Sequence, residues 1–464
     1  MLERLTAAIA ANRFGLGSRP GELDSIGGNG RDWLRAQLNG PPPLLDEPRL
    51  RPSSEILTQA LELRRELQEQ RRAKDTGDDT AAVTKLPQLL RPVYVEEAMA
   101  RVRAAVATDR PFLERITRFW TNHFAVSVDK NLLLGLAGSL EREAIRPNVL
   151  GHFGDMLLAV EQHPAMLLYL DNHLSIGPDS RAARNRERQH AERKAGINEN
   201  LARETLELHT LGVGGGYTQA DVTSYAEVIT GWSIGGDRGH YRADPGKFVF
   251  REEFHEPGPK VVLGKRYAET GYEQGVAVLR DLAKHPSTAR FIATKLARHF
   301  ISDDPPQEAV ERIAQAYTHS GGHLPAVYGA LIDSPDAWIQ PLAKYKTPDD
   351  YIISSYRGLQ VPLESVHAPL APFELLGQRI YSPGSPAGWP DRSADWDGAS
   401  ALLKRIEWAD ALGQKLGSRR DAAEIAPQLL GETLTPATRT AIAHAASGAQ
   451  ALTLLLAAPE FMRR

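Results

Sequence analysis

Apolar residues recur at three- and four-residue intervals over 53–74, 86–107, 110–126, 147–161, 198–211, 218–230, 273–284, 287–301, 306–318, 346–358 and 398–413. That period is one face of an α-helix, so each segment is expected to be an amphipathic helix. β-prone runs are confined to "KFVFREEF" (247–254) and "KVVLGKRY" (260–267), separated by "HEPGPK". The proline and glycine between them suit a connecting turn, which predicts one hairpin near 247–267. The expected fold class is mainly α: a multi-helix orthogonal bundle with one small β-hairpin.

Prolines, glycines and polar residues predict loops at 40–52, 75–83, 177–196 and 381–396. The chain reads as one domain over 1–464, with an N-terminal helical arm (1–84), a central helical core carrying the hairpin (85–345) and C-terminal helices (346–464). "ALIDSPDAW" (330–338) and "LLLAAPEFM" (454–462) each predict a helix stop followed by a one-turn restart, with proline early in the new turn and an acid at its positive end.

Composition narrows the function classes. Hydrophobic residues at 42% and charged residues at 24% are the balance of a soluble globular protein. Lys and Arg number 55 against 58 Asp and Glu, so the basic excess of a nucleic-acid binder is missing and no such partner is expected. With no cysteine, thiolate zinc sites, iron–sulfur ligation and a cysteine nucleophile are excluded. No uninterrupted apolar run reaches the roughly 18 residues of a membrane span. The opening "MLERLTAAIAANRFGLG" has helical spacing and no basic-then-apolar leader, so a cytoplasmic location is expected.

The densest chemistry lies in "NENLARETLELHTLGVGGGYTQADV" (198–222). On a helical wheel Glu199, Arg203 and Glu207 lie within roughly 80° of one another, with Glu204 flanking and His209 on the apolar side. The plain account is a solvated i, i+4, i+8 ladder behind an Asn198 N-cap. The sharper account is an acid–base face. Gly212 is expected to end the helix in the left-handed conformation, and Thr218 with Asp221 to form a capping box. Further polar residues sit in apolar or aromatic company: Asn122 and His123 in "RFWTNHFAVS", Asp171 and Asn172 in "HPAMLLYLDNHLS", Trp232 in "TGWS", His255 beside the expected turn, and Trp389 and Asp391 in "SPAGWPD". Singly each suits a core or turn role; together they are the inventory of a polar or sugar-binding cleft.

The same segments, with "NRFGLGSRPGE" (12–22), "HEPGPKVVLGKRY", "ARFIATKLARHF" (289–300) and "LLLAAPEFMRR", resemble a bacterial family catalogued as domain of unknown function 1800, over essentially the whole chain. The resemblance implies a family and not a reaction. It also implies a partner, since similar chains are often encoded beside members of domain of unknown function 1501, which resembles the alkaline phosphatase and sulfatase superfamily. Periplasmic export together with such a partner is the alternative to a cytoplasmic location.

Three functions are consistent with these residues. The first is a hydrolase acting on a polar polymer such as a glycan, with two of Glu199, Glu204, Glu207 and Asp171 as acid and base, Arg203 and His209 tuning them, and Asn122, His123, Asn172, Asn198, Trp232, His255, Trp389 and Asp391 binding substrate. The second is a divalent-cation enzyme or metal-binding protein using the same oxygen ligands. The third is a non-catalytic partner of a phosphatase-like protein. The first requires a cleft in which the carboxylates converge.

Overall fold

Helices form where the apolar period predicted them, with ends shifted by a few residues. A computed structural model describes residues 2–74, 80–188, 196–236, 244–339, 342–365 and 368–464. Within it the chain is mainly helical, and a continuous cluster of buried apolar side chains runs from Ala7 to Met462. Both predicted helix restarts are present, at Asp336–Ile339 and Pro459–Met462. Gly212 has φ 83°, and Thr218 and Asp221 form the reciprocal capping box of helix Gln219–Val228.

Two loop expectations are corrected. Residues 80–83 begin helix Thr80–Ala107, which continues through Pro87 and Pro92, while 75–79 lie outside the described residues. Within 177–196, helix Arg181–Arg188 forms, and 189–195 are likewise outside. Among the described residues no helix is long and apolar enough to cross a membrane.

The single hairpin is also corrected, because its two runs do not pair with each other. Strand β1 (Trp232–Ile234) pairs antiparallel with β2 (Phe248–Phe250), and β3 (Lys260–Val262) with β4 (Lys265–Tyr267). The β3–β4 turn is Leu263–Gly264, both at positive φ, the conformation that a tight two-residue hairpin needs. Leucine is costly there. Asp221 Oδ1 accepts a 2.7 Å bond from the Leu263 amide, so the side chain that caps one helix also holds the strained turn.

Among the described residues three helical stretches are π-helical: Ala10–Phe14, Glu141–Ile145 and Thr205–Thr210. Each carries a buried polar residue, Arg13, Glu141 or His209. Such bulges reorient side chains within an otherwise α-helical run.

Helix Pro111–His123 lies at the centre. Proline opens it, and all of 111–120 plus His123 are buried. Phe112 packs against Phe14 and Phe300 at 5.8 and 5.7 Å between ring centres, and Trp120 donates to the Tyr328 hydroxyl at 2.7 Å. This aromatic layer fixes helix Pro111–His123 against helix Pro286–Phe300. Because the central helix is covered on nearly all sides, its charges Glu114, Arg115 and Arg118 must be paired inside the protein.

Candidate active site

A cavity of about 460 Å³ opens between helix Pro111–His123, helix Pro286–Phe300, the start of helix Pro348–Gly358 and the 378–391 loop. That volume suits a small molecule or one end of a larger one. Arg115, Arg118, Phe119, Asn122 and His123 reach it from one face of the first helix, and Lys295 and His299, one turn apart, from the second. Arg101, Asp349, Asp350, Arg379, Trp389 and Asp391 add further charged and aromatic lining, with Phe124 and Tyr381.

Its floor is a buried ionic lattice. Thr347 caps helix Pro348–Gly358 by accepting from the Asp350 amide, proline follows, and Asp349 and Asp350 occupy the first turn, where the helix dipole favours acids. Both acids meet arginines. Arg118 donates to the two oxygens of Asp349, at 2.8 Å from Nε and 2.5 Å from Nη2. Asp350 faces Arg115 at 2.9 Å and Arg464 at 2.8 Å. Deeper still, Arg146 forks between Glu114 and Glu141, both at 2.7 Å, and Glu141 also faces Arg101 at 2.9 Å. Burial alone would raise the Glu141 carboxyl, but Arg146, Arg101 and Arg118 outweigh it and hold it at about 2. For Asp350 burial is likewise overcome, by Arg115 and Arg464, so it stays ionised well below the usual range.

The upper wall carries a different chemistry. His299 Nδ1 donates to Asp391 Oδ1 at 3.0 Å, while Nε2 is buried and lacks a hydrogen-bond partner. A carboxylate on Nδ1 fixes the proton there and leaves a lone pair on Nε2. Burial lowers the His299 pKa although Asp391 opposes it, so the imidazole is neutral near pH 7. Burial would raise Asp391; His299 and Lys344 outweigh that and hold it at about 2. Burial lowers Lys295 to about 8, with Asp391 opposing and Arg298 assisting. His123 Nε2 donates to the His209 carbonyl at 3.1 Å, and its Nδ1 is a second buried nitrogen with no partner.

The 378–391 loop is held from several sides. Asn122 donates to the Trp389 carbonyl at 2.9 Å and accepts from its amide at 2.7 Å. Gly388, at φ 83°, lies so close to the Asn122 backbone that a Cβ would collide with it. The Tyr381 hydroxyl donates to Glu141 at 3.2 Å, which ties the loop to the lattice, and Lys344 Nζ donates to the Asp391 carbonyl.

Of the residues singled out in the sequence, His123, Trp389 and Asp391 line this cavity with Asn122, whose amide is occupied in holding the loop. The 198–209 group lies elsewhere. Helix Asn200–Glu204 passes into the π-helical segment Thr205–Thr210, which breaks the regular 100° wheel after Glu204. Glu199 accepts from Arg203, Gln219 and Thr223 at 2.9, 2.9 and 2.7 Å, and Glu207 from the Tyr217 hydroxyl. Asp171 pairs with Lys130 at 2.6 Å. Glu204 is half-buried and its carboxyl is raised, by burial and then by Glu207 against His209. His209 is fully buried and donates to Glu161 at 2.7 Å.

The remaining substrate-binding candidates lie outside this cavity. Asn172 donates to the Ile229 and Trp232 carbonyls, and Asn198 donates to the Asp171 carbonyl and accepts from the Asn200 amide. Glu199, not Asn198, occupies the N-cap position of the short helix. Trp232 is fully buried against Phe248 and Tyr272. His255 Nδ1 donates to the Thr230 carbonyl at 3.1 Å beside a shallow depression lined by Arg181 and Arg184. Among the described residues no group of three or more His, Asp or Glu is placed to hold a metal ion.

Sequence reasoning assigned no role to Arg101, Arg118, Lys295, His299 or Asp349. A signal existed in "ARFIATKLARHF": Lys295 and His299 stand at i and i+4, at the edge of a polar face that also carries Arg290, Thr294 and Arg298.

The comparisons with known proteins agree with the resemblance. The family described as "Protein of unknown function (DUF1800)" matches residues 9–463, so the chain belongs to that family. No curated protein and no solved structure matches it.

Proposed function

We propose that the chain is a hydrolase centred on the Asp391–His299 pair, acting on an ester or amide bond in a small molecule or at an accessible chain end. The observation that carries this is the buried, partnerless Nε2 of His299, with Nδ1 held by Asp391 on a cavity wall. Such an imidazole can take a proton from water as it attacks the acyl carbon and return it to the leaving oxygen or nitrogen. Asp391 keeps the tautomer and stabilises the transient imidazolium.

This reading moves the chemistry away from paired carboxylates. Glycan cleavage needs one carboxyl that keeps its proton near neutrality. Of the acids lining the cavity, Asp350 and Asp391 are held low by arginine, lysine and histidine, and Asp349 is clamped by Arg118. Glu204, raised and within the field of Glu207, supports a second reading in which a carboxylate pair works on the other face. Turnover of a panel of nitrophenyl esters and nitrophenyl glycosides separates the two. His299→Gln and Asp391→Asn should cut ester turnover by about 10²–10⁴. Glycoside turnover abolished by Glu204→Gln, with esters untouched, would select the carboxylate reading instead.

Association with a protein of domain of unknown function 1501, and export with it, are separate proposals. Co-purification and cell fractionation with both genes expressed test them.

A further inference from the structure

The charges around the cavity do not balance. Arg101, Arg115, Arg118, Lys295 and Arg379 line it, against Asp349, Asp350 and Asp391. Behind this lining Arg146 and Arg464 offset Glu114 and Glu141, so the positive excess remains. Arg379 sits partly exposed and faces Asp129 at 3.9 Å, leaving the inner excess at Lys295 and Arg118. Arg118 Nη1 is buried with no hydrogen bond, its nearest acid oxygen being Glu114 at 3.9 Å. Lys295 Nζ has no hydrogen bond or ion pair among the described residues; its close neighbour is the Phe291 ring at 5.6 Å. An unmatched guanidinium nitrogen and an unmatched ammonium in a confined space are costly unless something anionic completes them.

We infer that the cavity receives a compact anionic group, a carboxylate or a phosphate, held between Lys295 and Arg118. This rests on the cavity being the functional site and deepens the hydrolase reading by giving its substrate an anionic end. His123 Nδ1, a buried acceptor in the same lining, can take a donor from the remainder of the ligand. Arg118, fixed on Asp349 through Nε and Nη2, presents Nη1 without further reorganisation.

Calorimetric titration of the full chain with sodium acetate and with sodium phosphate, at constant ionic strength, tests this. One of the two should bind saturably at one site per chain, which also separates a carboxylate from a phosphate ligand. Lys295→Met should weaken that binding by about tenfold or more, and Lys295→Arg should restore most of it. Saturable binding of neither anion, or binding indifferent to Lys295→Met in a variant that melts cooperatively, overturns the inference. His299→Gln separates it from the function above. Anion binding kept while ester turnover is lost supports both. Lys295-dependent anion binding with turnover unchanged by His299→Gln keeps the anion site and removes the hydrolase. Turnover that needs His299 without any anion binding does the reverse.

Discussion

The 199–210 segment and the cavity between helices Pro111–His123 and Pro286–Phe300 contain much the same residue types, and they differ in what surrounds them. Around Glu199 the partners are Arg203, Gln219 and Thr223, all at least partly in water, and every carboxylate oxygen is satisfied locally. Around His299 and Lys295 the partners, Asp391 and the Phe291 ring, are also only partly covered, yet two donor or acceptor positions are left over inside the cavity. Density of charge along a sequence therefore locates polar networks; unfilled hydrogen-bonding capacity within a cavity locates a candidate site.

Mutation can break that comparison, beginning with turnover. His299→Gln or Asp391→Asn should lower the rate by about 10²–10⁴, whereas Glu199→Gln and Glu207→Gln should change it by less than about twofold. Equal losses in both regions would erase the distinction.

Stability gives the next largest contrast. Arg146 is fully buried and forks between Glu114 and Glu141, so Arg146→Met should cost about 3–5 kcal/mol in urea unfolding by stranding Glu114 and leaving Glu141 to Arg101. Arg203→Ala, at a surface pair, should cost less than about 1 kcal/mol.

Lys346 works in the opposite sense. Burial lowers it to about 7 despite Asp350, so the folded state disfavours its charge and the protein is less stable for it at neutral pH. Lys346→Met should raise stability at pH 7 by about 1–2 kcal/mol, although it gives up the bond to Ser354. The unfolded chain binds the extra proton between about pH 7 and the usual 10.5, so the advantage should shrink as pH rises through that window.

Acid sharpens the comparison least but most specifically. Glu141 is held at about 2 from a usual 4.5, a depressed pKa whose stabilisation is complete above about 4.5 and lost as pH falls towards 2. The urea midpoint should fall between pH 5 and 2, and Glu141→Gln should flatten that dependence while lowering the plateau.

The helices were legible because period and capping are local: "TPDD" already states an N-cap, a first-turn proline and two dipole-facing acids. The strand pairing was not, since β2 pairs with residues the periodicity had put at a helix end, and that choice is made by packing at a distance. A leucine in the β3–β4 turn hid the two-residue hairpin, because its support, Asp221, lies 42 positions away. Parts of the site were visible as polar residues in apolar frames: His123, Trp389 and Asp391. Lys295 and His299 look like the solvent flank of an amphipathic helix until the 378–391 loop closes over them. Arg118 looks like any helix charge until its helix is found buried on nearly all sides.

The π-helical segment Thr205–Thr210 has a further consequence for chain length. Leu211 donates to the carbonyl of Leu206, five positions back, so one extra residue is lodged in this helix. Excising one residue would let the segment relax to ordinary pitch, leaving the helix beyond the cut facing much as it does now but closing the widened turn itself. Lost with it would be the local geometry that sets the His209 carbonyl against His123 and the His209 ring against Glu161. A single in-frame deletion within 205–210 should thus do more harm than replacing half-buried Glu207 or Leu208 outright: here the count of residues is constrained more tightly than their identity.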